Sequence, residues 1–196
     1  MLPSMPSSIA LFPLNIVLFP GGPLPLRIFE TRYVDMVRGC MRGDQRFGVV
    51  LIREGSEVGP AETFDVGTMA KIIDFHQLSD GFLGLSCIGE QRFRIVSRSR
   101  QADGLNLAQI DWMAAEPKMA VPERHAHLAE LLRTVLPELG EVYAGIEMHL
   151  DDAAWVGYRL AEILPIAATK KQFCVELEDA IQRLDLLSPL AQGAAN

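Results

Sequence analysis

The spacing of apolar residues changes once along this chain, near residue 115, and this change constrains the fold more than any other feature. Up to about residue 112, short apolar runs are separated by glycine, proline and Asp-Gly breaks, as in strands joined by tight turns. From about residue 122, apolar residues recur every three or four positions, as on one face of a helix. The sequence therefore predicts an α+β fold, with a β-rich subdomain over 1–115 and a helical subdomain over 116–196.

The first part is predicted to be a sheet with one inserted helix. The predicted strands cover residues 9–12, 24–29, 47–52, 66–75, 82–88, 91–96 and 105–112. A helix over 30–41 interrupts them, because Tyr33, Val37 and Met41 fall on one helical face and Gly43 follows as a stop. Several short strands of this kind favour a closed or nearly closed sheet, one end of which the helix is expected to plug.

The second part is predicted to contain four helices. The first runs from Leu128 to Val135, and the second, with a weaker pattern, covers residues 141–150. Asp151 is the predicted cap of the third. The fourth is predicted over 169–187, with Thr169 and Gln172 spaced as a capping box and Phe173 on its buried face. Residues 188–196 are predicted to form a loose tail.

Composition and charge narrow the class of protein. The 196 residues are 49% hydrophobic and 22% charged, which is typical of a folded core. The net charge is -7, and residues 116–196 carry most of it, with 13 acidic against 7 basic side chains. This balance argues against a nucleic-acid partner, which requires a surplus of Lys and Arg. Prolines interrupt every long apolar stretch, so the chain is predicted to be cytoplasmic, with no membrane partner.

The chemical inventory is mainly negative. The three cysteines are far apart and form no CxxC pair, which favours reduced thiols over disulfides. The chain has no Gly-Lys dipeptide, so it lacks the lysine of a phosphate-binding loop. His125 and His127 are two positions apart, which points them to different faces of a helix, where solvated histidines are expected. We predict no catalytic residue, no cofactor and no metal.

Two patterns leave alternatives open. The run from Gly84 to Gly89 is one residue longer than a nucleophile elbow, which leaves a small hydrolase using Ser86, or a cysteine with a histidine, as one alternative. Four arginines of one parity, Arg92, Arg94, Arg98 and Arg100, predict a ladder on one strand face. The ladder fits an anion or RNA site, or an outer face paired with acids on the next strand; a bulge near Val96 would break it.

The order of several short motifs resembles one family. The opening Leu11-Phe12-Pro13-Leu14, then Leu18-Phe19-Pro20-Gly21, then Leu24-Pro25-Leu26-Arg27-Ile28-Phe29-Glu30 with Arg32-Tyr33 is similar to the start of the Lon N-terminal substrate-binding domain. Val66-Gly67-Thr68, Arg92-Phe93-Arg94-Ile95, Leu164-Pro165 and Glu176-Leu177 follow in the same order. The resemblance covers residues 9–187.

The resemblance implies a PUA-like β pseudo-barrel followed by a helical bundle. It also implies a non-catalytic module, a stand-alone form lacking the ATPase and peptidase domains. Its implied partners are unfolded or extended polypeptides, and it could serve a separate protease as an adaptor. An RNA-binding PUA-like module is the third hypothesis. The candidate binding residues are Arg27, Phe29, Glu30, Arg32, Tyr33, Arg92 and Arg94.

Overall fold

A computed structural model describes residues 8–59 and 61–194, and its strands form one mixed sheet. The strands are β1 (Ser8–Leu14), β2 (Pro23–Ile28), β3 (Arg46–Gly55), β4 (Ala61–Gln77), β5 (Leu83–Arg100) and β6 (Asn106–Trp112). The helices are α1 (Thr31–Arg42), α2 (Ala126–Val135), α3 (Glu141–Ala144), α4 (Ala153–Ile163), α5 (Ala168–Glu176) and α6 (Ala180–Ala194). The α+β class is therefore confirmed.

The sheet closes on itself through its longest strand. Its order is β2-β5-β4-β3-β1-β6, and β6 also pairs with β5, so that β5, β4, β3, β1 and β6 form a ring. The β1–β3 pair is parallel and the other pairs are antiparallel. The first half of β5 pairs with β2 and the second half with β6. This arrangement confirms the predicted pseudo-barrel.

Helix α1 packs on the face of β1, β3 and β4 opposite the apolar cluster that fills the ring, and the expectation that it plugs one end of the barrel stays a prediction. Tyr33, Met36 and Val37 on its inner face are buried against strand residues that include Phe12 and Phe47. The ring of Tyr33 stacks on that of Phe12, with 4.1 Å between centroids. This packing fixes the β2–α1 junction at the rim of the barrel.

The helices after residue 122 pack against the outside of the sheet. Their largest apolar cluster centres on α4 and α6 and also contains Phe19, Val66 and Met113, which come from the strand region. Arg159 of α4 donates to the carbonyl oxygens of Gly21 and Pro20, at 2.8 and 2.9 Å. The two parts thus share buried contacts, and the division at residue 115 stays a prediction.

One predicted break in the sheet is wrong. Residues 82–88 and 91–96 were expected as two strands separated at Gly89, yet both belong to β5. Gly89 is needed for a close approach instead: a Cβ there would lie 2.1 Å from the carbonyl oxygen of Phe19. Gly21 N–H donates to Gly89 O at 2.7 Å, which joins the Pro-Gly turn to the strand.

Several helix boundaries also differ from the prediction. Residues 141–150 contain only the single turn α3, and the cap of α4 is Asp152, not Asp151. The predicted fourth helix divides into α5 and α6, because Asp179 Oδ1 accepts from the N–H groups of Ile181 and Gln182 and starts a new helix. The predicted tail lies in α6 up to Ala194, while residues 195–196 are outside the described residues.

The capping box predicted at Thr169 and Gln172 is absent. The residue that caps α5 is Ala167, without a side-chain hydrogen bond. Gln172 is buried and donates instead to Val66 O at 3.0 Å, which ties α5 to β4. Phe173, predicted on the buried face, is 51% exposed.

Candidate functional site

Three exposed phenylalanines lie at the rim of the barrel, and we call them the aromatic surface: Phe29, Phe75 and Phe82. Their exposed fractions are 54%, 56% and 38%. Phe29 follows β2, Phe75 lies near the end of β4, and Phe82 precedes β5. The rings of Phe29 and Phe82 meet edge to face, with 6.2 Å between centroids. Large exposed apolar groups gathered in this way are typical of interaction sites.

Local sequence explains why Phe82 projects from the β4–β5 turn. Asp80 Oδ1 accepts from the N–H of Phe82 at 3.0 Å, and Leu78 N–H donates to Phe82 O at 2.8 Å. Gly81 has a φ of 85°, a backbone conformation that residues with a Cβ rarely adopt. The Asp-Gly turn therefore holds Phe82 at the tip of the hairpin.

Arg27 places a positive charge on the same surface. Its guanidinium lies 4.7 Å from the centroid of the Phe82 ring and 2.9 Å from the carboxylate of Asp80. Both side chains of this ion pair are largely exposed, so solvent screens their attraction. The surface thus combines aromatic rings with a charge that a bound molecule can reach.

A cavity of about 290 Å³ adjoins the aromatic surface at the β2–α1 junction. Four of the predicted binding residues line it, namely Arg27, Phe29, Glu30 and Tyr33. Arg32, a fifth, lies beside it, with its guanidinium 2.9 Å from the Glu30 carboxylate. Burial raises the pKa of the Tyr33 hydroxyl. The charge of Arg32 lowers this pKa and that of Glu30 raises it, both to a smaller extent. The structure therefore brings five of the seven predicted residues together.

Arg92 lies elsewhere, under the helices. Its Nη1 donates to the carbonyl oxygens of Val175 and Leu177, at 2.8 and 2.6 Å, and its Nη2 lies 3.0 Å from Glu116. Arg183 completes the cluster with two bonds to Glu116, at 2.9 and 2.5 Å. All three charged side chains are almost fully buried. Arg92 thus joins β5 to the end of α5, and Glu116 links it to Arg183 of α6.

The other arginines of β5 do not form one ladder. Arg94 is exposed and lies opposite Asp111 of β6, and Arg98 lies 2.7 Å from Asp65. The β5–β6 register shifts between Ile95 and Ser97, at the position where a bulge was considered. The paired outer face describes Arg94 and Arg98 better than a continuous anion site.

The groups required by the hydrolase alternative are not activated. Burial raises the pKa of Cys87 to about 12 and also raises that of Cys174, so both thiols stay protonated. Ser86 lies within β5, opposite Pro25 of β2 and Asp74 of β4. His125, expected to be solvated, is buried, with Nε2 2.6 Å from Asp185. None of these contacts joins a nucleophile to a base.

Sequence reasoning missed three groups of functional interest. Phe75 and Phe82 were predicted only as strand residues, although the Asp80-Gly81 turn beside Phe82 was a usable signal. Glu116 carried no local pattern, because its partners are distant in sequence.

Two further findings concern the described ranges alone. They contain no cluster of three or more His, Cys, Asp or Glu side chains arranged to hold a metal, and no helix in them is long and apolar enough to cross a membrane.

The fold and this surface define a small barrel-and-helix module with an open aromatic rim. Comparison with known proteins gives its family. The family model of the ATP-dependent protease La (LON) substrate-binding domain matches residues 8–192. The chain therefore belongs to the Lon substrate-binding domain family, which confirms the resemblance inferred from the motifs.

Individual relatives agree with this assignment. Lon protease 2 of Myxococcus xanthus is 28% identical over 198 residues, which cover 95% of this chain and 24% of the protease. The chain thus spans about a quarter of that relative's length. The crystal structure of a Lon N-terminal domain protein from Xanthomonas campestris is 36% identical, with a TM-score of 0.77 over 93% of this chain and 97% of that one. The N-terminal domain of a Mycobacterium avium complex Lon protease, 17% identical with a TM-score of 0.65, shows the fold alone.

Proposed function

We propose that this chain is a non-catalytic module that binds unfolded or extended polypeptide at its aromatic surface. The observation that carries the proposal is the exposure of Phe29, Phe75 and Phe82 around one rim of the barrel. Membership of a substrate-binding family supports it, since the family's name describes binding and not cleavage. A folded chain buries its own phenylalanines, so the surface would favour clients whose apolar residues are still exposed.

The energetics of such a surface suit weak and general binding. Fully burying a phenylalanine side chain contributes roughly 1.5–3 kcal/mol, and the three rings are already about half covered. Covering all three therefore contributes about 2–5 kcal/mol before the cost of ordering the client, which corresponds to weak binding near the millimolar range. Because apolar burial has no directional requirement, many sequences would bind.

The predicted binding residues take different parts in this proposal. Arg27, Phe29 and Glu30 would contact the client, because they are exposed or line the adjoining cavity. Arg32 and Tyr33 would support the junction beneath them. We assign Arg92 a structural role on account of its burial, and Arg94 no role in this site.

A titration of an unfolded model protein tests the proposal. Fluorescently labelled, reduced and alkylated lactalbumin should bind the wild-type chain and lose at least about tenfold in affinity with the double variant Phe29→Ser/Phe82→Ser. Phe173→Ser is the matched control, because Phe173 is as exposed as Phe29 but lies on α5. Absence of wild-type binding up to about millimolar concentration would contradict the proposal.

A second variant tests the location of the site. Arg94→Glu should leave the affinity unchanged, because Arg94 lies on the β6-paired part of β5 and lines neither the cavity nor the aromatic surface. Loss of binding with this variant would move the site to the β5 strand face.

We further propose that the module acts as an adaptor, presenting bound polypeptide to a separate protease. It would supply affinity and the protease would supply the chemistry. Burial raises the pKa of the Cys87 and Cys174 thiols, which disfavours their reactive thiolate forms. Adding the purified chain to such a protease should lower the KM for an unfolded substrate and leave kcat unchanged. An unchanged KM would refute the adaptor role while leaving polypeptide binding intact.

A further inference from the structure

One edge of the β4–β5 hairpin is covered by no other strand among residues 8–59 and 61–194. β3 pairs with β4 as far as Arg46 opposite Lys71, and the N–H of Ile72 then donates to Gln45 O at 2.9 Å. Beyond this point, within the part of the chain that the structure describes, residues 73–77 of β4 pair with β5 alone. All five residues are exposed, so the edge is open to solvent.

The hydrogen-bond pattern of the hairpin shows which backbone groups point outward. Leu78 N–H donates to Phe82 O at 2.8 Å, so every second pair from there along the hairpin is hydrogen-bonded. Phe75 and Gln77 belong to the intervening pairs, and their N–H and C=O groups point away from β5. The N–H of Phe75 donates to the Asp74 carboxylate at 2.8 Å, as expected of a group outside the ladder.

A groove of about 690 Å³ runs beside this edge, between the hairpin and α1. Its apolar lining includes Phe75 and Phe82. Among the residues that the structure describes, its ionisable lining consists of Arg38, Arg42 and His76, with no carboxylate. The cavity at the β2–α1 junction, by contrast, is lined by Glu30 as well as Arg27. In a chain of net charge -7, the groove is a locally basic surface.

We propose that the free edge of β4, residues 73–77, binds one extended client segment as an added strand, whose alternate side chains enter this groove. The segment that fits carries both apolar residues and carboxylates among the alternate side chains that enter the groove, because the groove is lined by phenylalanines and by arginines. This inference rests on the proposed function and specifies how the client is held and what its sequence is.

Backbone hydrogen bonds and the attraction between opposite charges would hold the added strand. An added strand would satisfy the outward backbone groups of Phe75 and Gln77, displacing the Asp74 carboxylate from the first of them. Its apolar side chains would cover the aromatic rings, and its carboxylates would lie near Arg38 and Arg42. Arg38 already pairs with Asp35 at 2.9 Å, but both side chains are more than half exposed, so that pair is easily exchanged.

Backbone methylation of the client tests the strand geometry. The probe is a fluorescein-labelled ten-residue peptide that repeats Val-Thr-Glu-Thr, so that valine and glutamate share one strand face, and we call it the valine–glutamate peptide. It is made in two further forms, N-methylated at every threonine or at every valine and glutamate. In an added strand the N–H groups of alternate residues face β4, so one methylated form should lose at least tenfold in affinity and the other should bind like the parent. Equal binding of both methylated forms, or equal loss, would overturn strand addition.

Charge reversal tests the groove. Arg38→Glu/Arg42→Glu should weaken the valine–glutamate peptide at least tenfold and strengthen a valine–lysine peptide. Arg133→Glu is the control, because Arg133 forms the same kind of exposed i, i+3 pair with Glu130 but lies on α2. Equal affinity of the wild type for the two peptides would overturn the charge preference.

The unfolded lactalbumin titration separates failure of this inference from failure of the proposed function. Binding of lactalbumin together with equal affinities of the two methylated peptides leaves the module a polypeptide binder and overturns only its strand mode. Absence of binding for lactalbumin and for all peptides overturns both.

Discussion

At the scale of the residue, Glu116 has the most demanding environment. Burial alone would raise the pKa of its carboxyl, but the bonds from Arg183 and Tyr158 and the charge of Arg92 outweigh burial and lower it below the ordinary 4.5. The Tyr158 hydroxyl donates to the same carboxylate. One buried anion therefore holds two buried guanidinium groups in place, between the sheet and the helices.

Removing this carboxylate should destabilise the fold strongly. Glu116→Ala leaves two buried cations without their partner, and we expect the free energy of unfolding to fall by about 3–5 kcal/mol, measured by urea denaturation. Glu130→Ala, which removes an exposed partner of Arg133, should cost less than about 1 kcal/mol. Similar losses for the two variants would show that the buried cluster contributes no more to the free energy of unfolding than an exposed ion pair does.

The same carboxylate predicts a pH dependence. Because its pKa is lower in the folded chain than in the unfolded one, it contributes stability above the unfolded value and loses that contribution as pH falls through the folded value. Wild-type stability should therefore decrease below about pH 4.5, and Glu116→Gln should flatten part of this acid limb. An acid limb of the same steepness in the variant would contradict this assignment.

At the scale of the element, local patterns predicted most strands and helices, and long-range contacts decided the rest. α1 was recognisable because its apolar residues follow the helical period, and β1 and β3 because each is a short continuous apolar run. Gly89 was interpreted as a break because a sequence does not show that the Phe19 carbonyl approaches it. Long-range contacts also explain why the seven predicted binding residues do not all lie in one place. Those at the β2–α1 junction are close in sequence and lie together, whereas the two carbonyl oxygens that bind Arg92 belong to residues more than 80 positions away.

Two glycines in contrasting settings test this explanation. Gly89→Ala would place a Cβ 2.1 Å from Phe19 O, so we expect a loss of about 1–3 kcal/mol of unfolding free energy. Gly39→Ala meets nothing within 4 Å on α1 and should stabilise by about 0.5–1 kcal/mol, since alanine favours helix. Thermal denaturation of both variants would measure this, and a neutral Gly89→Ala would refute the close approach.

At the scale of the whole molecule, the sheet and the helices share one apolar cluster and one buried ionic cluster. Phe19, Val66 and Met113 contribute to the cluster that the helices build. Arg92 of β5 binds the end of α5, and Glu116 links it to Arg183 of α6. Neither part could lose the other without exposing charge and apolar area. We therefore expect the two predicted subdomains to unfold together.

The two tryptophans allow this cooperativity to be measured. Trp112 lies in β6 and Trp155 in α4, so the variants Trp112→Phe and Trp155→Phe each leave a single fluorescent reporter in one part. In each variant, the fluorescence maximum should shift sigmoidally with urea concentration. The midpoint of that shift should coincide with the midpoint of the same variant's far-ultraviolet circular dichroism transition. Fluorescence and circular dichroism transitions that separate within either variant would show two independently unfolding units.

The most direct test of the proposed function is to map the bound client on the surface by nuclear magnetic resonance. Amide shifts of the ¹⁵N-labelled chain should be followed while unlabelled unfolded lactalbumin is added. The account predicts changes concentrated at residues 27–33 and 73–84, around the aromatic surface, with little change at α2 and α6. Changes centred on the helices, or on the β5–β6 face around Arg94, would contradict the central claim that the barrel rim binds the polypeptide.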